Sequence, residues 1–351
     1  GGGMIFRMGR IQFSHTYEDV ISVENLLEAW KEFKRGKEKK QGVLLFQLRL
    51  MEYILSLHAD LRNKTYRHGP YKHFKIADPK PRDINKASVR DRLLHHAIYR
   101  KLYPFFDRTF IADSFSCRVG KGTHKAMNRF RAFAYKVSKN HTSSCFVLKC
   151  DIRKFFANID HEILFSILSS YIPDADITGL LKNIVGSFSS RNAGVGLPLG
   201  NLTSQLLVNI YMNEFDQFVK HNLKVRYYIR YADDFVFLSS HKSKLEGMVR
   251  YPPERTEDVS SVRAGIVLFL RERLKLELHP DKVFIKTHDS GVDFLGWVHF
   301  PNHRVLRTST KRRMFRRVRE DSSKEVATSY VGFLKHGNTC KLQEQVQAHT
   351  K

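Results

Sequence analysis

Two adjacent acids stand between two apolar segments in the centre of the chain. Asp233 and Asp234 interrupt the run 227–239 (YYIRYADDFVFLS), which has no Gly, Asn or Pro to form an ordinary turn. Asp151 comes near the end of a similar apolar run, CFVLKCDI. Neighbouring carboxylates repel one another, and the repulsion is relieved by an exposed turn or by a cation. Three carboxylates at the ends of adjacent strands could hold two divalent ions about 4 Å apart, an arrangement that supports nucleotidyl transfer.

The charge of the chain indicates a polyanionic partner. Sixty Lys and Arg stand against 35 Asp and Glu, a formal net charge of +25. Such an excess favours nucleic acid as the partner, with a membrane surface or the ribosome as alternatives. No apolar run approaches the roughly 20 residues that cross a bilayer, and the N-terminus lacks the layout of a signal peptide. We therefore expect a cytoplasmic protein of a prokaryote or phage, with no membrane partner.

Mixed helix and strand patterns predict an α+β fold with a mostly antiparallel sheet. Apolar positions three and four apart predict two helices over 23–62, one over 89–102 that stops before Pro104, and one over 202–218. The polar segment 240–261 is expected to be a surface insertion, and the basic tail 304–319 to be helical. The sequence has no P-loop motif and no glycine-rich loop after the first strand, which disfavours P-loop or Rossmann nucleotide binding.

Five segments resemble the sequence boxes of reverse transcriptases. Tyr231-Ala232-Asp233-Asp234 is similar to the Tyr-x-Asp-Asp box, and DIRKFF, beginning at Asp151, to the strand with the first metal-binding aspartate. GLPLGNLTSQ at 196–205 resembles the glycine-rich box, HPDK at 279–282 the pyrophosphate-side segment, and FLG at 294–296 the primer-grip turn. The boxes follow the family's order.

The resemblance implies a right-hand polymerase fold with fingers, an antiparallel-sheet palm and a short helical thumb. An N-terminal extension and the fingers would occupy 1–145, and the basic thumb 298–351. The palm would occupy 146–297, including part of the fingers near 172–205 and the insertion near 240–261.

The same resemblance implies a metal site and a proton donor. Asp151, Asp233 and Asp234, with the backbone carbonyl of Ile152, would bind two Mg²⁺ ions. Lys282 would donate a proton to the leaving pyrophosphate, although a surface lysine without this role is an alternative.

Other matched residues are expected to contact the substrates. Lys80 and Arg82 would clamp the triphosphate, unless they form only a solvated basic turn. Phe156 would exclude a 2′-hydroxyl, with core packing as the alternative, while Tyr231 and Gln205 would lie near the incoming nucleotide or the templating base. The residues expected to contact nucleic acid are Gly200, Ser204, Gly296, Lys311, Arg312, Arg313, Arg316 and Arg317.

The glycine-rich box also indicates a subfamily. Many relatives have a proline after its serine, whereas this chain has Gln205. LGNLTSQ, together with SFSCRVGKGTHK at 114–125, resembles the reverse transcriptases of diversity-generating retroelements. Those enzymes copy a template-repeat RNA into cDNA with errors opposite adenine and so diversify a target gene, a process called mutagenic retrohoming. The implied partners are that RNA, the RNA/cDNA duplex, dNTPs and a basic pentameric accessory variability protein.

Three alternatives stay open. The first is a retron, defence-associated or group II intron reverse transcriptase, although no maturase or endonuclease extension is evident. The second is a non-catalytic RNA-binding scaffold, which would have no use for three clustered acids. The third is an RNA-dependent RNA polymerase, which Phe156 disfavours because a sugar gate would exclude ribonucleotides.

Overall fold

The computed structural model describes residues 11–76, 82–188, 190, 192–249 and 265–349. The helices in these residues are α1 Tyr17–Ile21, α2 Val23–Lys34, α3 Gln41–Leu48, α4 Leu50–Arg62, α5 Val89–Asp107, α6 Thr123–Val137, α7 His161–Ser169, α8 Ala175–Gly186, α9 Leu202–Gln217, α10 Lys242–Val249, α11 Ile266–Leu274, α12 Thr308–Glu320, α13 Lys324–Leu334 and α14 Cys340–Ala348. The strands are β1 Lys72–Ile76, β2 Arg82–Lys86, β3 Phe146–Asp151, β4 Tyr228–Tyr231, β5 Asp234–Ser239, β6 Phe284–Thr287, β7 Val292–Phe294, β8 Trp297–His299 and β9 Arg304–Leu306.

The strands form three antiparallel sheets, which confirms the predicted α+β class. The central sheet has the order β4-β5-β3-β6. The second sheet is a hairpin of β1 and β2, and the third has the order β7-β8-β9. Within the described part of the chain, none of the helices has the length and apolar character needed to cross a bilayer.

Side chains alternate between the two faces of the central sheet, and each face joins a different core. Leu148, Cys150 and Phe235 belong to the large cluster that also contains α5, α9 and α11. Val147 and Val236, one residue out of phase, pack with α6 and with the β7 strand. The sheet is therefore buried on both sides along most of its length.

Two predicted helices have different bounds in the structure. The predicted pair over 23–62 is divided again at Arg49, between α3 and α4. The prediction that a helix stops before Pro104 was wrong, because α5 runs on to Asp107 with Pro104 inside it. Phe106 follows the proline and is completely buried, so core packing favours the last turn despite the missing N–H.

The predicted insertion over 240–261 is in part an integral helix. Its residues 242–249 form α10, in which Leu245 is completely buried and Met248 is 8% exposed. These side chains pack against the central sheet, so this part is not a surface insertion. Residues 250–261 lie outside the described residues. The basic tail predicted to be helical over 304–319 begins instead with β9 and continues as α12.

The C-terminal helices pack around Trp297, which is completely buried. This third cluster includes Met314 and Val318 of α12 and Leu334 of α13. The loop after α13 approaches the indole so closely that a Cβ atom on Gly337 would lie 2.0 Å from its ring. Only glycine fits there without displacing the ring or the loop.

We expect Gly337→Ala to lower the free energy of unfolding by about 1–3 kcal/mol, because overpacking forces Trp297 or the loop to move. Gly332→Ala is the matched control, since a Cβ at this helical position meets nothing within 4 Å. Alanine there should stabilise α13 by roughly 0.5–1 kcal/mol. Denaturant unfolding would measure both, and equal effects of the two substitutions would contradict the close packing.

Candidate active site

The three acids meet at one end of the central sheet. Asp151, the last residue of β3, is the direct antiparallel partner of Asp234, the first residue of β5. Asp233 precedes Asp234, and its carbonyl accepts a 3.2 Å hydrogen bond from the Ile152 N–H. Directly opposed residues share a face of the sheet, so the carboxylates of Asp151 and Asp234 project from the same side.

The turn that contains Asp233 is stabilised by the buried side chain of Arg230. β4 and β5 are joined by Ala232 and Asp233, and Ala232 has a left-handed φ of +56°. Non-glycine residues rarely adopt this backbone, and they do so mainly where surrounding contacts enforce it. Arg230 supplies one such contact, because its Nη1 donates to the Ala232 carbonyl at 3.1 Å.

Arg230 belongs to a completely buried polar network. Its guanidinium donates to both carboxylate oxygens of Asp216 on α9, the shortest bond being 2.7 Å. It also donates to Asn209 and to the Ser114 hydroxyl, and Asp216 accepts a further bond from Tyr228. Burial alone would lower the pKa of Arg230, but the Asp216 charge raises it above its ordinary value. The pair therefore stays charged beneath the turn.

Burial and the charges of neighbouring acids make Asp233 and Asp234 reluctant to ionise. Burial raises the pKa of Asp234 from 3.8 to about 6; Lys149 opposes this rise, and Asp151 and Asp233 add to it. Burial, followed by the Asp151 charge, also raises the pKa of Asp233. Asp234 Oδ1 is buried and accepts no hydrogen bond. A cation bound here would therefore stabilise the ionised carboxylates.

Two lysines contact the acids, and Arg82 acts on Asp233 through its charge. Lys282 Nζ lies 2.9 Å from Asp151 Oδ1, and Lys149 Nζ lies 3.5 Å from Asp234 Oδ1. The positive charges of Lys282 and Arg82 oppose the rise in the pKa of Asp233. Two residues predicted from separate boxes, Arg82 and Lys282, are thus brought to the same acids. Lys80 lies outside the described residues.

The glycine-rich box is bonded to the β1–β2 hairpin that carries Arg82. The Asn85 N–H donates to the Leu199 carbonyl at 3.2 Å, and the Asn201 side chain donates to the Asn85 carbonyl at 3.1 Å. Gly200 has a φ of +105°, and a Cβ there would lie 3.0 Å from Ile84. Glycine lets the box approach the hairpin closely.

Side chains around the acids differ in their access to solvent. Phe155 is 3% exposed and belongs to the core, while Phe156 is only partly buried and its carbonyl accepts a 2.8 Å bond from the Leu197 N–H. Gln205 is also partly exposed, in the first turns of α9. Ser204, predicted to contact nucleic acid, is 2% exposed. Its predicted contact with nucleic acid stays a prediction.

Tyr231 connects the acidic turn to α6. Its hydroxyl accepts a 3.1 Å hydrogen bond from the Thr123 hydroxyl, and its ring packs against the cluster that contains α6. The ring is partly exposed, so its predicted substrate contact stays a prediction.

The predicted primer-grip turn is linked to the basic helix. Leu295 and Gly296 both have positive φ angles, and they form the two-residue turn between β7 and β8. The Gly296 carbonyl accepts a 3.1 Å bond from the N–H of Arg307, the residue before α12. The basic residues of α12 that are exposed are Lys311, Arg312, Arg316, Arg317 and Arg319, whereas Arg313 is partly buried.

Comparisons with known proteins identify the family. The family described as reverse transcriptase (RNA-dependent DNA polymerase) matches residues 75–299, more than half of the chain. The chain belongs to the reverse transcriptase family. It is an RNA-directed DNA polymerase with the α+β fold that the resemblance implied.

Three relatives show the breadth of the match. Protein YkfC of Escherichia coli (strain K12) is 26% identical over 307 residues, which cover 76% of this chain and 74% of YkfC. The group II intron-encoded protein LtrA of Lactococcus lactis subsp. cremoris is 23% identical over 331 residues, covering 75% of this chain and 51% of LtrA. The retron Ec83 reverse transcriptase of Escherichia coli is 34% identical over 118 residues, covering 31% and 36% of the two chains.

Reverse transcriptases use divalent metal ions, and the donors at this sheet end suit them. Among the described residues, no three His, Cys, Asp or Glu side chains converge closely enough to hold an ion unaided. Mg²⁺, however, takes one or two carboxylates and completes its shell with water and phosphate oxygens. The unbonded Asp234 Oδ1 fits this chemistry. A divalent ion bound there would stabilise charge on the attacking and leaving oxygens.

Sequence reasoning missed two supports of the site. Lys149 lies two residues before Asp151, and period-two alternation on a strand places both on one face. That alternation was the available signal. Arg230 and Asp216 had only a weak signal, because a charged residue inside an apolar run does not reveal which partner it will find.

We expect divalent cations to stabilise the protein in a pH-dependent manner. The raised pKa of Asp234 means that the folded protein holds its proton more tightly than the unfolded chain does. Without metal, this group makes the free energy of unfolding fall as pH rises from about 4 to about 6. Binding a cation requires charged carboxylates, so the gain in Tm from MgCl₂ or MnCl₂ should grow over the same range.

Thermal unfolding at pH 5, 6 and 8 would test this, with NaCl at matched ionic strength as the control. The gain should reach at least about 2 °C at pH 8 and should shrink in Asp234→Asn. A gain that is independent of pH and of this substitution would contradict a metal site here.

We expect Arg230 and Asp216 to be strongly coupled. Arg230→Gln or Asp216→Asn alone leaves an unpaired buried charge and should cost about 3–5 kcal/mol. The double variant should cost much less than the sum of the two. Removing the exposed pair Lys242–Glu246, which is 3.2 Å apart, should cost under about 1 kcal/mol. Additive losses in denaturant unfolding would refute the coupling.

Proposed function

We propose that this reverse transcriptase copies a template-repeat RNA into cDNA with frequent errors opposite adenine, so that a target gene is diversified. It would use two Mg²⁺ ions held by Asp151, Asp233, Asp234 and the Ile152 carbonyl. Its setting would be the cytoplasm of a prokaryote, with a basic pentameric accessory protein as partner. The observation that carries the proposal is the position of Gln205.

Gln205 supports a permissive nucleotide site. It is partly exposed in the first turns of α9, as the last residue of the box that is bonded to the β1–β2 hairpin. Its N–H donates to the Asn201 carbonyl at 3.3 Å, a bond that proline cannot make. A flexible polar side chain in place of a rigid ring loosens the pocket, and a loose pocket discriminates poorly between bases.

The remaining roles follow from where the side chains lie. Arg82, beside the acids, would bind the triphosphate, and Lys282 would donate a proton to pyrophosphate. Phe156, next to the core residue Phe155 and partly exposed, would exclude the 2′-hydroxyl. Residues 1–145 would serve as N-terminal extension and fingers and 298–351 as thumb around the 146–297 palm. The exposed cations of α12 would lie on the duplex backbone.

A second candidate is a faithful reverse transcriptase of the retron or group II intron type. The relatives that favour it are LtrA, an intron-encoded protein, and the retron Ec83 enzyme. Both candidates share the chemistry and differ in fidelity and in template, so the error spectrum of the product separates them.

The test is primer extension on an adenine-containing RNA with Mg²⁺ and dNTPs, with product sequencing. The reaction would be run with and without the cognate RNA and accessory protein, and Asp233→Asn would be the inactive control. We expect DNA with errors concentrated opposite adenine. Faithful DNA under every condition would reject the diversifying role and leave the second candidate.

We also expect the error rate opposite adenine to fall in Gln205→Pro. Because proline removes the bond to Asn201 as well as the side chain, Gln205→Ala is the matched control that keeps the N–H. If the side chain sets the fidelity, both variants should become more accurate. An error spectrum unchanged in both active variants would rule out this role of Gln205.

A further inference from the structure

A cationic cavity lies where α6, the β8–β9 turn and the loop after α13 meet. Its volume is about 260 Å³. The lining contains three cations, Arg131, Arg304 and Lys335. Four histidines also line it, and none of the described lining residues carries a carboxylate. The composition is that of an anion site.

The cavity is separate from the catalytic centre. The His288 N–H in its wall donates to the Cys145 carbonyl, at the start of β3, over 2.8 Å. Asp151 ends the same strand. At about 3.3 Å per residue, the two ends of this strand are roughly 20 Å apart. A ligand in the cavity therefore lies well away from the acids.

One buried donor in the wall lacks a partner. Arg304 Nε donates to the His336 carbonyl, and Nη2 donates to the Asn128 side chain at 3.3 Å. Its Nη1 is buried and makes no hydrogen bond. Burial, and next the charge of Arg131, lower the pKa of Arg304, so this guanidinium would gain from a negative ligand.

A second unpartnered group lies on the same wall. His288 is 1% exposed, and its Nδ1 is buried without a hydrogen bond. Its ring is enclosed by Phe130 and His141. Asp289, the nearest acid, is exposed to solvent next to it. Buried polar groups are almost always bonded in folded proteins, so two orphans in one cavity point to a missing ligand.

The cavity wall is held rigidly. The Asn338 N–H donates to the Arg304 carbonyl at 2.9 Å, which joins the loop after α13 to β9. Gly337 in the same loop presses against the Trp297 ring. A site with fixed walls loses little entropy when it binds a small charged group.

We propose that this cavity binds a phosphodiester of a nucleic-acid strand outside the catalytic cleft. The exposed side chains of Arg131 and Lys335 contact the phosphate, and the Arg304 guanidinium adds positive charge to the wall behind them. A polymerase that holds a long polyanion in its cleft also raises the local concentration of neighbouring phosphates. The proposal holds for any kind of reverse transcriptase and does not depend on its fidelity.

Charge-matched double variants test the cavity. Arg131→Ala/Lys335→Ala removes two exposed cations of the cavity. Lys136→Ala/Lys341→Ala removes two exposed cations nearby, on α6 and α14, that do not line it. The probe is a fluorescent single-stranded RNA long enough to extend beyond the cleft, titrated at several salt concentrations. A melting curve of each variant confirms folding, and Arg131→Gln alone serves if the double variant is unstable.

We expect the cavity variant to bind this RNA roughly tenfold more weakly than the matched variant. The slope of log affinity against log salt should fall by about 0.7 for each lost phosphate contact. Equal affinities and slopes in the two variants would overturn the proposal. In a second experiment, the Tm of the wild type is measured with and without inorganic phosphate. If it raises the Tm of the wild type while the two variants bind RNA equally, the cavity takes a free anion and the nucleic-acid assignment fails.

Discussion

The catalytic turn depends on the ion pair between Arg230 and Asp216, which is completely buried. Removing two charges from water costs several kcal/mol per ion, and only excellent geometry offsets that cost. Here the guanidinium bonds both carboxylate oxygens, and Asn209, Ser114 and Tyr228 occupy further positions of the network. Arg230 also donates to the Ala232 carbonyl. This bond supports the left-handed backbone of Ala232, a conformation that glycine would adopt more readily than alanine does. The segment that begins at Ser114 thus supports the acids from behind.

The sheet separates this support from the chemistry. Arg230 faces the large core, whereas Asp151 and Asp234 project from the opposite face, because side chains alternate along a strand. Like charges opposed on neighbouring strands destabilise a sheet. Such a pair of like charges lies at one end of the central sheet, where the ion pairs with Lys149 and Lys282 reduce the repulsion in part. Burial, with the Asp151 and Asp233 charges adding to it, still raises the pKa of Asp234 despite Lys149.

Some features could be predicted from sequence because they are local. The strands around Asp151 and Asp233, the helix after the glycine-rich box and the antiparallel class follow from apolar patterns and short motifs. The end of α5 could not be predicted, because the burial of Phe106 against residues distant in sequence decides whether the helix continues past Pro104. The burial of Ser204 could not be predicted for a related reason: a motif names a residue but not which way its helix faces. Arg230 needed a partner 14 residues away, and only the packed fold supplies it.

The junction between the β7–β8 hairpin and α12 has a mechanical consequence. Arg307, just before the helix, bonds the Gly296 carbonyl through its N–H and lies 3.0 Å from Asp293 through its side chain. The start of α12 is therefore pinned, while its other end is about 20 Å away at 1.5 Å per residue. The first turn of α12 and the β7–β8 turn are thus mechanically coupled, so a shift of one is transmitted to the other.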